Sequence, residues 1–180
     1  MYAAQPQLAL APPHTIRPFR GPETTIQTMR EMAKGPRGER SVLLRSVTES
    51  VVRELQPKDY LSEILAVRHF VAARARYLND PLTTEFVKDP QRMAEEILAR
   101  GKTTVDCDEM ALLIATMARQ LGREAEFVTV GFGIPGRYSH VFSRVLEPRT
   151  QRWIVCDPVA GTGETAMLRR VRTYKIWKID

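Results

Sequence analysis

Apolar residues recur every three to four positions as far as Leu121 and alternate after Gly122. The first regime predicts helices and the second predicts strands. Ile26, Met29, Met32 and Ala33 mark one helix, and Gly35-Pro36-Arg37-Gly38 breaks it. Val47, Val51, Val52 and Leu55 mark a second, ended by Gln56-Pro57. A third carries Leu61, Ile64, Leu65, Arg68, Phe70, Val71, Ala75 and Leu78, and stops at Asn79-Asp80-Pro81. Asp89-Pro90 opens a fourth, with Met93, Ile97 and Leu98 inward and the proline suited to a first turn. The fifth, Asp106 to Gly122, has both ends marked: Asp106 as N-cap, Glu109 as the capping-box acid, Gly122 as the stop.

At about 100° per residue, the apolar side chains of this fifth helix fill an arc of roughly 200°. Leu113, Met117, Met110 and Leu121 lie in that arc, with Cys107 near its centre. Asp108, Glu109, Thr116, Arg119 and Gln120 fall on the remaining side, with Leu112 the one apolar exception there. Beyond Gly122 the pattern predicts strands over residues 124–132, 139–146, 153–157 and 172–179. Gly133-Ile134-Pro135-Gly136 and Pro148-Arg149-Thr150-Gln151 separate the first three. Helices followed by antiparallel strands imply an α+β fold with the cysteine helix packed on a small sheet.

Residues 1–22 hold Pro6, Pro12, Pro13, Pro18 and Pro22, a density that forbids regular helix and favours an extended arm. The expected organisation is therefore an arm over 1–22, a helical extension over 23–58 and a core domain over 59–180. The net charge of +6 comes from interspersed charges of both signs. No arginine-rich run interleaved with aromatics suggests nucleic acid. No segment reads as a signal peptide or as a membrane span. Two cysteines do not make a disulfide scaffold, which fits a protein made in a reducing cytoplasm.

Candidate chemistry lies in three stretches taken in order: Asp106-Cys107-Asp108, Tyr138-Ser139-His140-Val141-Phe142 and Trp153-Ile154-Val155-Cys156-Asp157-Pro158. A cysteine at a helix start, where free N–H groups favour a thiolate, can meet a histidine from one strand and an aspartate ending the next. His140 would take the proton of Cys107, and Asp157 would hold the imidazole. Each residue also has a plainer role: a lone cysteine on an apolar face is usually core, as Asp157 alone could be a turn residue. Cys156 alternates away from Asp157 and is expected in the core, and His14 and His69 are expected to be structural. Tyr77 and Trp153 are expected to pack. A zinc site built from Cys107, His140 and Cys156 lacks the CxxC or HxxxH spacing such sites show.

These residues resemble the transglutaminase-like cysteine enzymes of the papain-like superfamily. The matching features are Cys107 at a helix start, His140 with Phe142 two positions on, and Trp153 shortly before Asp157-Pro158. Upstream, Arg76-Tyr77-Leu78-Asn79-Asp80 resembles the family's Arg-Tyr-x-x-Asp segment. The chain has Val105 where the family commonly has glycine, and Phe142 where many members have tryptophan. The resemblance covers roughly residues 60 to 160 and is closest to short transglutaminase-like proteins of tailed phages and prophages. It implies a Cys107–His140–Asp157 triad, acyl transfer on amides and no cofactor or metal. It also implies a protein, peptide or peptidoglycan-derived substrate, and tail or baseplate partners held through residues 1–58. A purely structural role in a phage particle is the alternative. Location in the bacterial host cytoplasm or a virion, without membrane or nucleic-acid partners, completes the expectation.

Overall fold

The computed structural model describes residues 14–16, 21–80, 85–160 and 164–180. Strand β1 (His14–Ile16) precedes three helices: α1 (Pro22–Lys34), α2 (Val42–Val52) and α3 (Tyr60–Arg74). Two short strands follow, β2 (Ala75–Tyr77) and β3 (Glu85–Val87), then α4 (Pro90–Arg100) and β4 (Thr103–Val105). The central helix α5 (Cys107–Gln120) leads into β5 (Ala125–Gly131), β6 (His140–Glu147) and β7 (Arg152–Cys156). Helix α6 (Glu164–Arg169) and strand β8 (Thr173–Lys178) end the chain. The last four strands form one antiparallel sheet in the order β7-β6-β5-β8. The result is α+β, with α1 to α5 on one face of a small sheet and α6 on the other. No helix among the described residues is long and apolar enough to cross a membrane.

Helix α5 sits where the two layers meet. Leu112, Ile114, Ala115 and Met117 are fully buried, and Phe127 of β5 and Val145 of β6 close over them from the sheet. Ile26 and Met29 of α1, Leu44 of α2 and Val67 and Val71 of α3 belong to the same core. The capping box forms as expected. The Asp106 carboxylate accepts from the Asp108 N–H (3.1 Å), and Glu109 accepts from the Asp106 N–H (3.2 Å). Gly122 follows with φ 76°, the left-handed conformation glycine supplies at a helix end.

The polar side of α5 is buried as well: Asp108, Glu109, Thr116 and Gln120 all lie inside. The N-terminal helices cover that side too, and they use its polar groups as attachment points. The Gln120 amide donates to the carbonyls of Glu39 (3.3 Å) and Ser41 (3.1 Å) and accepts from the Thr48 hydroxyl (2.8 Å). Arg119 bonds Glu39 (2.7 Å) and the Ile179 carbonyl (2.6 Å). Buried polar groups with partners of this kind cost little.

The third helix is shorter than its pattern suggests. It ends at Arg74, and Ala75 to Tyr77 turn into β2, which pairs in parallel with β4 (Ala75↔Thr103, Tyr77↔Val105). The ladder outcompetes another helical turn whose apolar residue, Leu78, would have no core to enter and is exposed. Leu61 and Leu98, expected inward, are exposed as well, because each lies at the rim of its helix. Strand β1 pairs with β3 in antiparallel register (His14↔Val87). Of the arm expected over 1–22, residues 1–13 and 17–20 lie outside the described residues, 14–16 are β1 and Pro22 opens α1.

Candidate functional site

Three chain turns bring the chemistry together. Cys107 is the first residue of α5, His140 the first of β6, and Asp157 directly follows β7. Ser143 stands opposite Cys156 across β6 and β7, so the strand ends place His140 and Asp157 side by side. The imidazole Nε2 lies 2.7 Å from Asp157 Oδ2. Asp157 is held in turn by the Val159 N–H (3.0 Å) and the Ala160 N–H (3.3 Å) on its other oxygen. Cys107 lines the same cavity as the imidazole and lies close enough to act on its charge. Burial alone would lower the His140 pKa. The hydrogen bond to Asp157 and the nearby Cys107, with their charges, reverse this and raise it to about 10.

The loop before His140 is anchored by a close backbone approach. A side chain at Gly131 would meet the Arg137 carbonyl oxygen at 1.9 Å, so only glycine lets the 132–139 loop fold back here. The Ser139 N–H then bonds the Val130 carbonyl (2.9 Å) and delivers the next residue, His140, to the site.

Cys107, His140 and Val141 open onto a cavity of about 440 Å³ that Tyr77, Asp80 and Glu85 also line. Tyr77 does not pack in the core as expected. It is 42% exposed within this cavity. The β2–β4 register sets it opposite Val105, two residues before the nucleophile, and both Tyr77 and Cys107 line the cavity. Burial, then the negative potential of Cys107, Asp106 and Asp108, pushes its pKa up to about 12, so it remains a hydrogen-bond donor. Trp153 does pack: the Arg144 guanidinium stacks over its ring at 4.4 Å, away from the cavity.

The acids flanking Cys107 are buried rather than solvated. Asp108 is 2% exposed, and neither carboxylate oxygen has a hydrogen-bond partner by geometry among the described residues. Burial first, then the neighbouring Asp106, Cys107 and Glu109, holds its pKa well above the usual carboxylate range. Glu109 is pushed up to about 8, chiefly by burial, although the Lys88 ammonium opposes the shift. Asp80 and Glu85 are raised by burial and by Asp106. Oxygens of Asp80, Glu85 and Asp106 lie within 4.8 Å of one another, as do those of Asp106, Asp108 and Glu109. Among the described residues, these are the groups whose spacing could accommodate a cation. Cys156 is fully buried in the core and is not among the residues lining the cavity. His69 is exposed on α3.

The structure thus brings together Cys107, His140 and Asp157, the residues the sequence singled out. It adds Tyr77, Asp80 and Glu85, which the pattern alone did not assign to the site. Their signal was the Arg76-Tyr77-Leu78-Asn79-Asp80 segment, whose place beside the nucleophile depends on a parallel strand pair that periodicity does not reveal. No curated protein matches the chain. Residues 45–158, which include the nucleophile helix, His140 and Asp157, match the family model of the transglutaminase-like superfamily, and the chain belongs to that superfamily.

Proposed function

We propose that this protein is a papain-like thiol enzyme that transfers acyl groups from amides. The observation that carries the proposal is that Cys107 and His140 line one cavity, with Asp157 bonded to the imidazole from behind. The Cys107 thiolate attacks the amide carbonyl carbon. The C–N bond then breaks, the leaving amine takes a proton from His140, and a thioester remains on Cys107. Water or a second amine next attacks the thioester, His140 accepts its proton, and the thiolate is released. Asp157 keeps the ring oriented throughout. The Cys107 N–H at the helix start and the Tyr77 hydroxyl are the donors for the oxyanion that forms on the carbonyl.

The cavity wall favours a cationic partner. Asp80, Glu85 and Asp106 line it, and no lysine or arginine does so among the described residues; Asp108 also lines it, but burial favours its neutral form. A substrate or acyl acceptor bearing an ammonium or guanidinium group meets complementary potential there. Hydrolysis and transfer to an amine share the same acyl-enzyme and differ only in what attacks it.

The test is intact-protein mass spectrometry after incubation with p-nitrophenyl acetate, with and without a fluorescent primary amine. The expected result is a single acetyl group on Cys107, absent from Cys107→Ser and strongly reduced in His140→Ala. Loss of that acetyl group to the amine identifies transfer, and loss to water identifies hydrolysis. Acetylation spread over lysines, with Cys107 unmodified, would refute the proposal.

A further inference from the structure

The sheet face turned away from α5 carries an apolar groove that the triad does not use. Ile176, Val128 and Phe142 stand in one row across β8, β5 and β6, with Tyr174 and Val130 in the next. Val155 of β7 extends the floor beside Arg144. Met167 of α6 and Val171 just beyond it pack on Val128, Val130 and Phe142, which are buried, and about 360 Å³ stays open beside Leu168, Tyr174 and Ile176. Tyr174 is 65% and Leu168 41% exposed. Strand β8 pairs with β5 on one edge and with no strand on the other among the described residues. Exposed Leu168, Tyr174 and Ile176 around an apolar cavity, beside an open strand edge, are the kind of feature a partner covers.

Charge identifies the kind of partner. From Met167 to Lys178 the chain has Arg169, Arg170, Arg172, Lys175 and Lys178 and no acid. Arg169, Arg170, Arg172 and Lys178 are exposed, and none has an ion-pair partner among the described residues. Lys175 turns to the other face, over the Trp177 ring and toward Glu23. The acid nearest the floor, Glu126, is buried and already bonded by Arg144 (2.7 Å). The rim is therefore basic and uncompensated, while the floor is apolar.

We propose that this groove docks an acidic, extended segment of another protein. Its backbone adds to the free edge of β8, its alternate apolar side chains fill the groove, and its carboxylates meet the arginine rim. A second copy of this chain is the wrong occupant, since it carries the same basic rim and a net charge of +6. Nucleic acid is also the wrong occupant. The floor is aliphatic and aromatic apart from Arg144, whose guanidinium is already bonded to Glu126 and stacked on Trp153. The surface is independent of the triad chemistry, although its floor residue Phe142 lies 6.2 Å, ring to ring, from His140.

The test uses the full chain and fluorescein-labelled peptides read by fluorescence anisotropy. The first alternates glutamate and leucine, the second lysine and leucine, and the third glutamate and serine. A short single-stranded DNA serves as a fourth probe. The Glu–Leu peptide should bind about tenfold or more tighter than each of the other three. Its addition should shift the methyl resonances of Val128, Val155 and Ile176. Joint replacement Leu168→Ser and Tyr174→Ser should weaken it about tenfold, and Arg169→Glu with Arg172→Glu should abolish the preference for acid. Cys107→Ser should bind as wild type does. The urea midpoints of the Leu168/Tyr174 and Arg169/Arg172 variants should match wild type, because the replaced side chains are exposed. Four results would overturn the proposal: no binding of the Glu–Leu peptide, equal binding of Glu–Ser, tighter binding of the DNA, or a concentration-dependent dimer that Tyr174→Ser dissolves.

Discussion

Glu109 offers a stability test with a change of sign. Its carboxyl is 4% exposed and accepts from the Lys88 N–H (2.8 Å) and the Asp106 N–H (3.2 Å). Burial nevertheless lifts its pKa to about 8. In the unfolded chain the same group ionises near 4.5. Between these values the unfolded state has released a proton that the folded state keeps. Stability therefore falls as pH rises through this window, by about 1.4 kcal/mol per pH unit. From the lower pKa to neutrality the loss is about 3 kcal/mol. Glu109→Gln removes this titration. It also leaves one acceptor oxygen where two were used, which costs about 1 kcal/mol at every pH. The variant should be about 1 kcal/mol less stable than wild type near pH 4 and about 2 kcal/mol more stable near pH 7, with the curves crossing at about pH 5. Urea unfolding followed by the fluorescence of Trp153 and Trp177 across this range measures the difference directly. If Glu109→Gln is less stable by a constant amount at every pH, Glu109 is ionised in the folded protein. The account of the buried acids beside Cys107 would then be wrong.

Three further outcomes are expected. His140 keeps its proton to about pH 10, so the alkylation rate of Cys107 by iodoacetamide should show no break near 6.5; in Asp157→Asn the break should move down toward that value, and an unchanged profile would remove Asp157 from the site. Tyr77→Phe should slow acetylation by p-nitrophenyl acetate about a hundredfold yet leave alkylation, which forms no oxyanion, within about twofold of wild type; equal effects on both would exclude an oxyanion role. Gly131→Ala would place a methyl 1.9 Å from the Arg137 carbonyl and 2.8 Å from Thr173 Cγ2. It should cost about 3 kcal/mol in urea unfolding and slow Cys107 alkylation through displacement of His140, whereas wild-type stability would contradict the close approach.

What could be read from the sequence was what local pattern encodes. The capping box around Asp106 and Glu109 and the four sheet strands follow from short-range spacing, and each lies within a residue or two of its expected place. Cys107, His140 and Asp157 were legible because each sits at the end of an element that local pattern predicts: a helix start, a strand start and the residue after a strand. What was hidden depended on residues far apart in the chain. One side of α5 looked polar because Gln120 and Thr116 are polar, but polarity does not reveal that α2 and the 38–41 turn will supply Gln120 with partners. Tyr77 looked like the tail of a helix, since nothing local reports that residues 103–105 offer it a strand to join.

The β1–β3 pair has a practical consequence for anyone preparing this protein. Val87 stands opposite His14, and the next residue, Lys88, gives its N–H to Glu109 in the capping box that seats Cys107. An expression fragment begun at Gly21, an obvious choice given the prolines before it, would strip one strand from a ladder whose other strand ends beside that bond. Such a fragment is not a neutral reagent. Labelling rates, pH profiles and stabilities measured on it would describe a nucleophile whose scaffold had been altered from the N-terminus, and the full chain is the proper reference for each of them.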